Sequence, residues 1–363
     1  MNYYDKQWSI YNGKKFRIEV FGASHSEKIG VKISGLTGES VDFDKVQEFL
    51  DRRRARSSVY STKRKEADII NVEKGWDGEK FVGDEFIASI LNQNTKSSDY
   101  DNLKRVPRPA HADFVAWSKY GDGFDYRGGG KFSGRLTAPL CIAGGIAKQI
   151  LERNGVTVNA FVSSIGNVFG KSYDDVDVES FEFDKLDKNF PTINEQEKEA
   201  MLEHIIKASE KGDSVGGRID CVIKGVPVGT GEYMFDSLES VISHLVFAVP
   251  AVKGIEFGKG FDITNSYGSK ANDPFVTDGK VVKTKTNNNG GINGGIANGM
   301  PITFRVAVKP TPSISIEQDS VDLVNKTNVK LKIKGRHDSC IVPRAVAVIE
   351  AVASIAILDA LQG

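Results

Sequence analysis

Tyr126-Arg127-Gly128-Gly129-Gly130-Lys131-Phe132-Ser133-Gly134-Arg135 is followed at once by an apolar run from Leu136 to Leu151. Three consecutive glycines free the backbone to take positive φ and to approach another group closely. The run behind them predicts a helix that ends near Gly155, with Ser133 as its cap. Glycines at such a helix start, beside Lys131 and Arg135, suit an anion, because the amides there are unpaired and positive. A tight turn leading into a buried helix accounts for the same residues, and glycine clusters mark turns far more often than ligands. The common nucleotide patterns do not fit. Ser133 stands where G-x-G-x-x-G needs its third glycine, and no glycine lies five residues before Gly130 as a P-loop requires. The stretch is therefore a plain turn or an anion site of another kind.

The 363 residues are 40% hydrophobic and 26% charged, enough to bury a substantial core. Length alone favours two domains, but no linker or internal repeat interrupts the chain, which reads as one α+β domain over residues 1–363. Lysine plus arginine equals aspartate plus glutamate, so the formal charge is zero. That argues against a general nucleic-acid or membrane-surface binder and leaves room for a local basic pocket. Cys141, Cys221 and Cys340 are scattered, with neither metal-ligand spacing nor an even disulfide set, as expected of a reducing cytoplasm. The polar start, Met1 to Ser9, has no secretory apolar core. The apolar run from Val342 to Leu361 is interrupted by Arg344, Glu350 and Asp359 and has Pro343 in its first turn, so it predicts a buried helix, not a membrane span.

Phe16–Val20 and Val31–Leu36 alternate as strands, and Gly22-Ala23-Ser24-His25-Ser26-Glu27 between them puts a histidine at a loop tip. Asp42 opens a helix with Val46, Phe49 and Leu50 on one face, ending in Arg52-Arg53-Arg54-Ala55-Arg56. Cations at a helix C-terminus are favourable by about 0.3–1 kcal/mol in any case. Four arginines in five positions, with Lys63-Arg64-Lys65 behind them, equally suit a polyanionic ligand. Pro107 and Pro109 stiffen the approach to His111, and Asp113 stands two residues on, in a position to orient the ring. Glu195–Lys211 predicts an amphipathic helix carrying His204 at its edge, and Ser237–Val246 a second helix in which His244 packs; Pro250-Ala251-Val252-Lys253-Gly254 ends it. Gly290 to Gly295 repeats the glycine theme before a strand, Ile302–Val308, and Lys309-Pro310-Thr311-Pro312-Ser313. Glycine-lined backbone beside a lysine and hydroxyls is a second candidate for an anion or a planar ligand.

Together these stretches resemble the chorismate synthase family across nearly the whole chain. The landmarks are Gly22-Ala23-Ser24-His25, Arg52-Arg53-Arg54, Arg108-Pro109-Ala110-His111-Ala112-Asp113, Tyr126 to Arg135, Gly225-Val226-Pro227, Ala251-Val252-Lys253-Gly254, Lys309-Pro310-Thr311 and Gly335-Arg336-His337-Asp338. The resemblance implies a β-α-β sandwich with antiparallel sheets and buried helices, usually assembled as a homotetramer. It implies a lyase that eliminates phosphate from 5-enolpyruvylshikimate 3-phosphate in a 1,4 sense, giving chorismate with reduced FMN as cofactor, and it associates the activity with NADP. His25 would protonate the departing phosphate, His111 would protonate or stabilise the reduced flavin, and Asp338 would act through the flavin in removing the substrate hydrogen. Flavin contacts carry over to Lys131, Phe132, Ser133, Pro250, Ala251, Gly294, Lys309, Pro310, Thr311, Pro312, Ser313 and Arg336. Substrate contacts carry over to Arg53, Arg54, Arg56 and Arg135.

A substrate with one phosphate and two carboxylates explains an arginine-rich pocket in a neutral protein. Its departing hydrogen is not acidic, so a reduced flavin supplies what side chains lack. The sequence departs from the family pattern at Ala23 and Ser26 around His25, at Ala55-Arg56, at Ala110 where glycine is usual, at Leu136, at Ser339, and at Val59, a commonly basic position. Arg56 either replaces that missing cation or is simply solvated. Two other functions compete: a flavin- or anion-binding module without catalysis, and an RNA binder at Arg52–Lys65. The second lacks stacking aromatics, since only Tyr60 lies among the basic residues.

Overall fold

A computed structural model of the chain describes residues 9–54, 67–93, 103–333 and 338–362. Arg56, Val59 and Arg336 lie outside them. Strands β1 (Ser9–Asn12), β2 (Arg17–Phe21) and β3 (Lys28–Ser34) precede helix α1 (Phe43–Arg53); β4 (Asn71–Lys74) and β5 (Phe86–Leu91) follow. These strands form an antiparallel sheet in the order β1-β2-β3-β5-β4. Helices α2 (Asp113–Tyr120) and α3 (Thr137–Arg153) lead to β6 (Thr157–Ile165) and β7 (Val168–Phe169). Then come α4 (Glu195–Glu210), β8 (Gly217–Lys224), α5 (Leu238–Phe247), β9 (Val252–Phe257) and the single turn α6 (Gly268–Ala271). Two small hairpins, β10 (Phe275–Thr277) with β11 (Val282–Thr284) and β12 (Ile292–Asn293) with β13 (Ile296–Ala297), precede β14 (Ile302–Val308). The second large sheet is also antiparallel, ordered β7-β6-β8-β14-β9. A last hairpin, β15 (Gln318–Asp322) with β16 (Thr327–Leu331), is followed by α7 (Val342–Gln362).

The layers follow from two helices that are apolar nearly all round. Helix α3 packs on the first sheet and α7 on the second, and the two pack on each other, so the order is sheet, helices, sheet. This is the sandwich that the resemblance implies. Between Val342 and Asp359 every residue except Arg344 is buried. Each fully buried Val, Ile or Leu contributes about 1.5–3 kcal/mol, so α7 is the main apolar ballast of the fold. Although it is long and apolar enough to cross a membrane, its surface is covered by α3, α5, β6 and β8. Gly144 lets α3 and α7 touch at one point, where a Cβ would stand 2.2 Å from Ala351 Cβ.

Local chemistry sets the element ends. Asp42 caps α1 by accepting from the amides of Asp44 and Lys45. Ser133 does not cap α3 directly; it accepts from Arg135 N at 3.2 Å and caps a 3-10 turn, Gly134–Leu136, that runs into α3. Residues 252–254, expected only to end α5, already belong to β9. Asp359, in the last turn of α7, accepts from Tyr11 Oη and from the backbone amides of Lys14, Lys15 and Phe16, tying the end of the chain to the β1–β2 turn.

Candidate active site

The triple glycine is the point that the two candidate catalytic histidines approach. Gly128, Gly129 and Gly130 have φ of 56°, 83° and 53°, all left-handed, which side chains rarely adopt. A Cβ on Gly128 would stand 2.5 Å from His25 Cε1, and one on Gly129 would stand 3.3 Å from His111 Nε2. Ser24 N donates to Gly130 O at 3.1 Å, fastening the His25 loop to the glycine turn. The glycines are thus a thin partition that both histidines approach. The turn reading of the sequence was right about the conformation, and the same turn builds the site.

His111 is oriented by a buried ion pair. Arg108 grips Asp113 with Nε at 2.7 Å and Nη2 at 2.9 Å, and Asp113 Oδ1 lies 2.6 Å from His111 Nδ1. Arg108 Nη2 also lies 3.1 Å from that nitrogen. A carboxylate so close needs a donor, which puts the proton on Nδ1 and leaves Nε2 toward Gly129. Burial would raise Asp113, but hydrogen bonds from Arg108 and His111 outweigh it and hold the carboxyl well below the usual range. Ala110, two residues before Ala112 at the start of α2, has φ 58°. Its carbonyl accepts from Lys309 Nζ at 2.5 Å. Left-handed backbone costs an L-residue about 1–2 kcal/mol, partly offset by glycine's greater freedom when unfolded. Ala110→Gly is therefore expected to stabilise the protein by about 0.5–1 kcal/mol with turnover unchanged; a lower midpoint in urea would contradict this.

A cavity of about 660 Å³ adjoins these groups. Its lining among the described residues includes six cations (Arg53, Arg108, Lys131, Arg135, Lys309 and Arg344) and two carboxylates, Asp68 and Asp338. Arg108 is already paired with Asp113, so three positive charges are left over, in a protein whose formal charge is zero. Arg53 is buried, bonded to Thr137 Oγ1 at 2.8 Å, to Gly134 O at 2.9 Å and to Asp68 Oδ2 at 3.2 Å. Burial and the neighbouring Arg344 lower its pKa to about 10 against the pull of Asp68, so the guanidinium stays charged yet short of anions. Arg135 bonds Asp68 Oδ1 at 2.5 Å and Asn92 Oδ1 at 2.9 Å. Arg344 Nη1 holds Asp338 Oδ2 at 2.7 Å, and its Nε donates to Arg53 O. Burial and nearby Lys253 pull Lys309 down as well. Ala248, Val249, Pro250 and Ala251, with Ile341, Ala345 and Val348, give the same cavity apolar surface.

The structure gathers His111, Asp338, Lys131, Phe132, Ser133, Pro250, Ala251, Lys309, Thr311, Pro312, Ser313, Arg53 and Arg135 around this space. His25 is half-buried beside Gly128, and Ser24 and Gly128 make the lining there. Besides His25, three expected contacts among the described residues are not in the lining. Gly294 is exposed in the β12–β13 turn, away from Lys309, Thr311, Pro312 and Ser313, which line the main cavity. Pro310 is exposed, and Arg54 pairs with Asp51 one turn back at 3.1 Å. Arg56 and Arg336 lie outside the described residues. Sequence reasoning did not single out Asp68, Arg344 or Thr137. Only Arg344 carried a signal, as a charge interrupting an apolar run.

Comparison with known proteins gives a single answer. A family model described as chorismate synthase matches residues 16–362. The chorismate synthase of Dehalococcoides mccartyi strain 195 is 42% identical over 348 residues, covering 96% of this chain and 95% of that protein. That of Thermococcus kodakarensis is 42% identical over 349 residues, covering 96% of each. That of Methanococcus maripaludis strain C5 is 38% identical over 357 residues, covering 96% and 95%. A crystal structure titled chorismate synthase superposes with a TM-score of 0.74 at 25% identity, over 97% of this chain and 93% of the other. With the sandwich, the glycine partition and the cationic cavity in place, this chain belongs to the chorismate synthase family.

Proposed function

We propose that the 363 residues act as one catalytic unit that converts 5-enolpyruvylshikimate 3-phosphate to chorismate with reduced FMN in the cavity. The observation that carries this reading is the excess of cations over carboxylates beside apolar walls, three charges once Arg108 is set against Asp113, with two histidines at the glycine partition. A substrate with three anionic groups needs such charge, and a planar flavin needs apolar surface with cations and hydroxyls for its phosphate. Lys131, Phe132, Ser133, Pro250, Ala251 and the Lys309–Ser313 segment would hold the flavin. When bound, reduced FMN supplies a transient electron that no side chain here offers.

The chain's own groups divide the remaining work. Arg53 and Arg135 face the substrate's anions. His25 gives a proton to the departing phosphate as the C–O bond breaks. Asp338, held by Arg344 at 2.7 Å, takes up the proton lost from the ring. His111 keeps an exchangeable Nε2 at the partition because Asp113 occupies its Nδ1. One C–H and one C–O bond break, a double bond forms, and no net oxidation results. The decisive experiment is an anaerobic assay with purified protein and reduced FMN, oxidised FMN or five-deazaflavin. Chorismate is expected with reduced FMN alone, without net flavin oxidation; comparable product with oxidised flavin, or with none, overturns the reading.

Assembly as a homotetramer is part of the same proposal. Phe235, Phe261, Tyr267 and Phe275 are 74–88% exposed in this single chain, more aromatic surface than one subunit normally leaves to water. Sedimentation at the mass of one chain would remove that part. Three buried free cysteines suit a reducing cytoplasm, where we place the protein.

A further inference from the structure

The carboxylate of Asp68 is buried between two guanidiniums that come from separate elements, Arg53 at the end of α1 and Arg135 in the turn before α3. Oδ2 lies 3.2 Å from Arg53 Nη1 and Oδ1 lies 2.5 Å from Arg135 Nη1, so both oxygens are engaged. The backbone of Asp68 is left-handed, with φ 50°, a conformation that aspartate and asparagine tolerate better than other side chains. Gln47 of α1 clamps that backbone from both sides. Its Nε2 donates to Asp68 O at 3.1 Å, and its Oε1 accepts from Ile70 N at 3.0 Å. The fold therefore maintains an unusual backbone to keep one carboxylate between two like charges at the cavity wall.

We propose that Asp68 is a positioning residue for substrate binding: it holds Arg53 and Arg135 in one arrangement before the anion arrives. The proposal rests on the assignment of these two arginines to the substrate. Without a shared counterion, two buried guanidiniums repel and swing apart, and the ligand must then spend binding energy on gathering them. A carboxylate that merely neutralised charge would act in the opposite sense. Its removal would eliminate a competitor for the arginines, and anions would bind more tightly. The two roles differ in the sign of one measurement.

The test is calorimetric titration of wild-type protein, Asp68→Asn and Asp68→Glu with 5-enolpyruvylshikimate 3-phosphate and with inorganic phosphate, in the absence of flavin. Asparagine keeps the shape and the backbone preference while removing the charge. Its affinity for the substrate is expected to fall roughly 10–100-fold, as for the loss of a charge-assisted contact, and its phosphate affinity is expected to fall too. With reduced FMN the same factor should appear in KM, while kcat changes by less than roughly 3-fold, because the interaction is made equally in ground and transition states. Glutamate retains the charge and displaces it by one methylene, so an intermediate loss of roughly 3–10-fold is expected. Should asparagine prevent folding, this second variant still decides. Wild-type or tighter affinity in either folded variant overturns the proposal, as does a lowered melting temperature with affinity intact. Because the titrations need no flavin, failure of the wild type to form chorismate would sink the functional reading alone.

Discussion

His111→Ala is expected to lower turnover roughly 10²–10⁴-fold, the range for losing a positioned proton donor or acceptor, and His25→Ala by the same order. The expectation rests on placement. Both rings approach the glycine partition, and His111 is fixed by Asp113 at 2.6 Å, which is itself clamped by Arg108. A ring so held reaches one geometry only, and losing it cannot be compensated by a neighbour. The controls are the other two described histidines. His204 on α4 lies against Gly166, where a Cβ would stand 2.5 Å from its Nε2, and His244 on α5 meets Tyr11 edge-on at 5.6 Å between centroids. Neither stands at the glycine partition, and their alanine variants should keep turnover within roughly 3-fold, as expected of positions outside the proton-transfer site. Steady-state rates with melting temperatures check this. A folded His204→Ala as impaired as His111→Ala would show the assignment to be wrong.

Much of this arrangement was legible because local rules and tertiary outcome agree. The apolar runs gave α3 and α7 nearly to the residue, and β14 was read with its observed ends, Ile302–Val308. The three charges that interrupt the last run were the clearest sign that it is not lipid-facing. Each turns out to be a tie: Arg344 to Asp338, Glu350 to Arg52, and Asp359 to Tyr11 and the amides of residues 14–16. The arginine run was not separable in the same way. Consecutive helical residues point about 100° apart, so Arg52 and Arg53 diverge to a buried carboxylate and the cavity, while Arg54, the extended C-cap, turns back to Asp51. Only the packing of α1 against α3 and α7 decides which goes where. Asp68 was invisible for a related reason, since its partners are 15 and 67 positions away and no periodicity links them. Gly294 could not be placed from sequence either, because a glycine serving a hairpin turn and one serving a ligand look alike there.

Arg52 shows how much of the basic run is structural, and it sets the largest expected effect on stability. Glu350 is 2% exposed, yet four elements converge on its carboxylate. Arg52 of α1 binds both oxygens at 2.7 Å, Lys148 of α3 lies at 3.6 Å, and Ala160 N of β6 donates at 3.1 Å, with Glu350 itself on α7. Burial would raise this carboxyl, but Arg52 and Lys148 outweigh it and bring the pKa down to about 2. Removing one partner strands the other charge in the core, so Glu350→Gln is expected to destabilise by about 3–5 kcal/mol in urea unfolding. Replacing Arg52 by Met and Glu350 by Leu together should recover part of that loss, because the desolvation of both ions disappears with them, while Lys148 keeps Glu152 and Val158 O as partners and Ala160 N loses its acceptor. The pH dependence has a definite sign. The folded pKa lies below the unfolded one, so the contribution is complete above the ordinary glutamate value of 4.5 and is lost as pH falls through about 2. Wild-type stability should decline across that window more steeply than that of the Met/Leu pair, by about 3 kcal/mol in total. Parallel pH profiles for the two proteins would mean that Glu350 is no more acidic folded than unfolded, and that the four elements are joined there by packing alone.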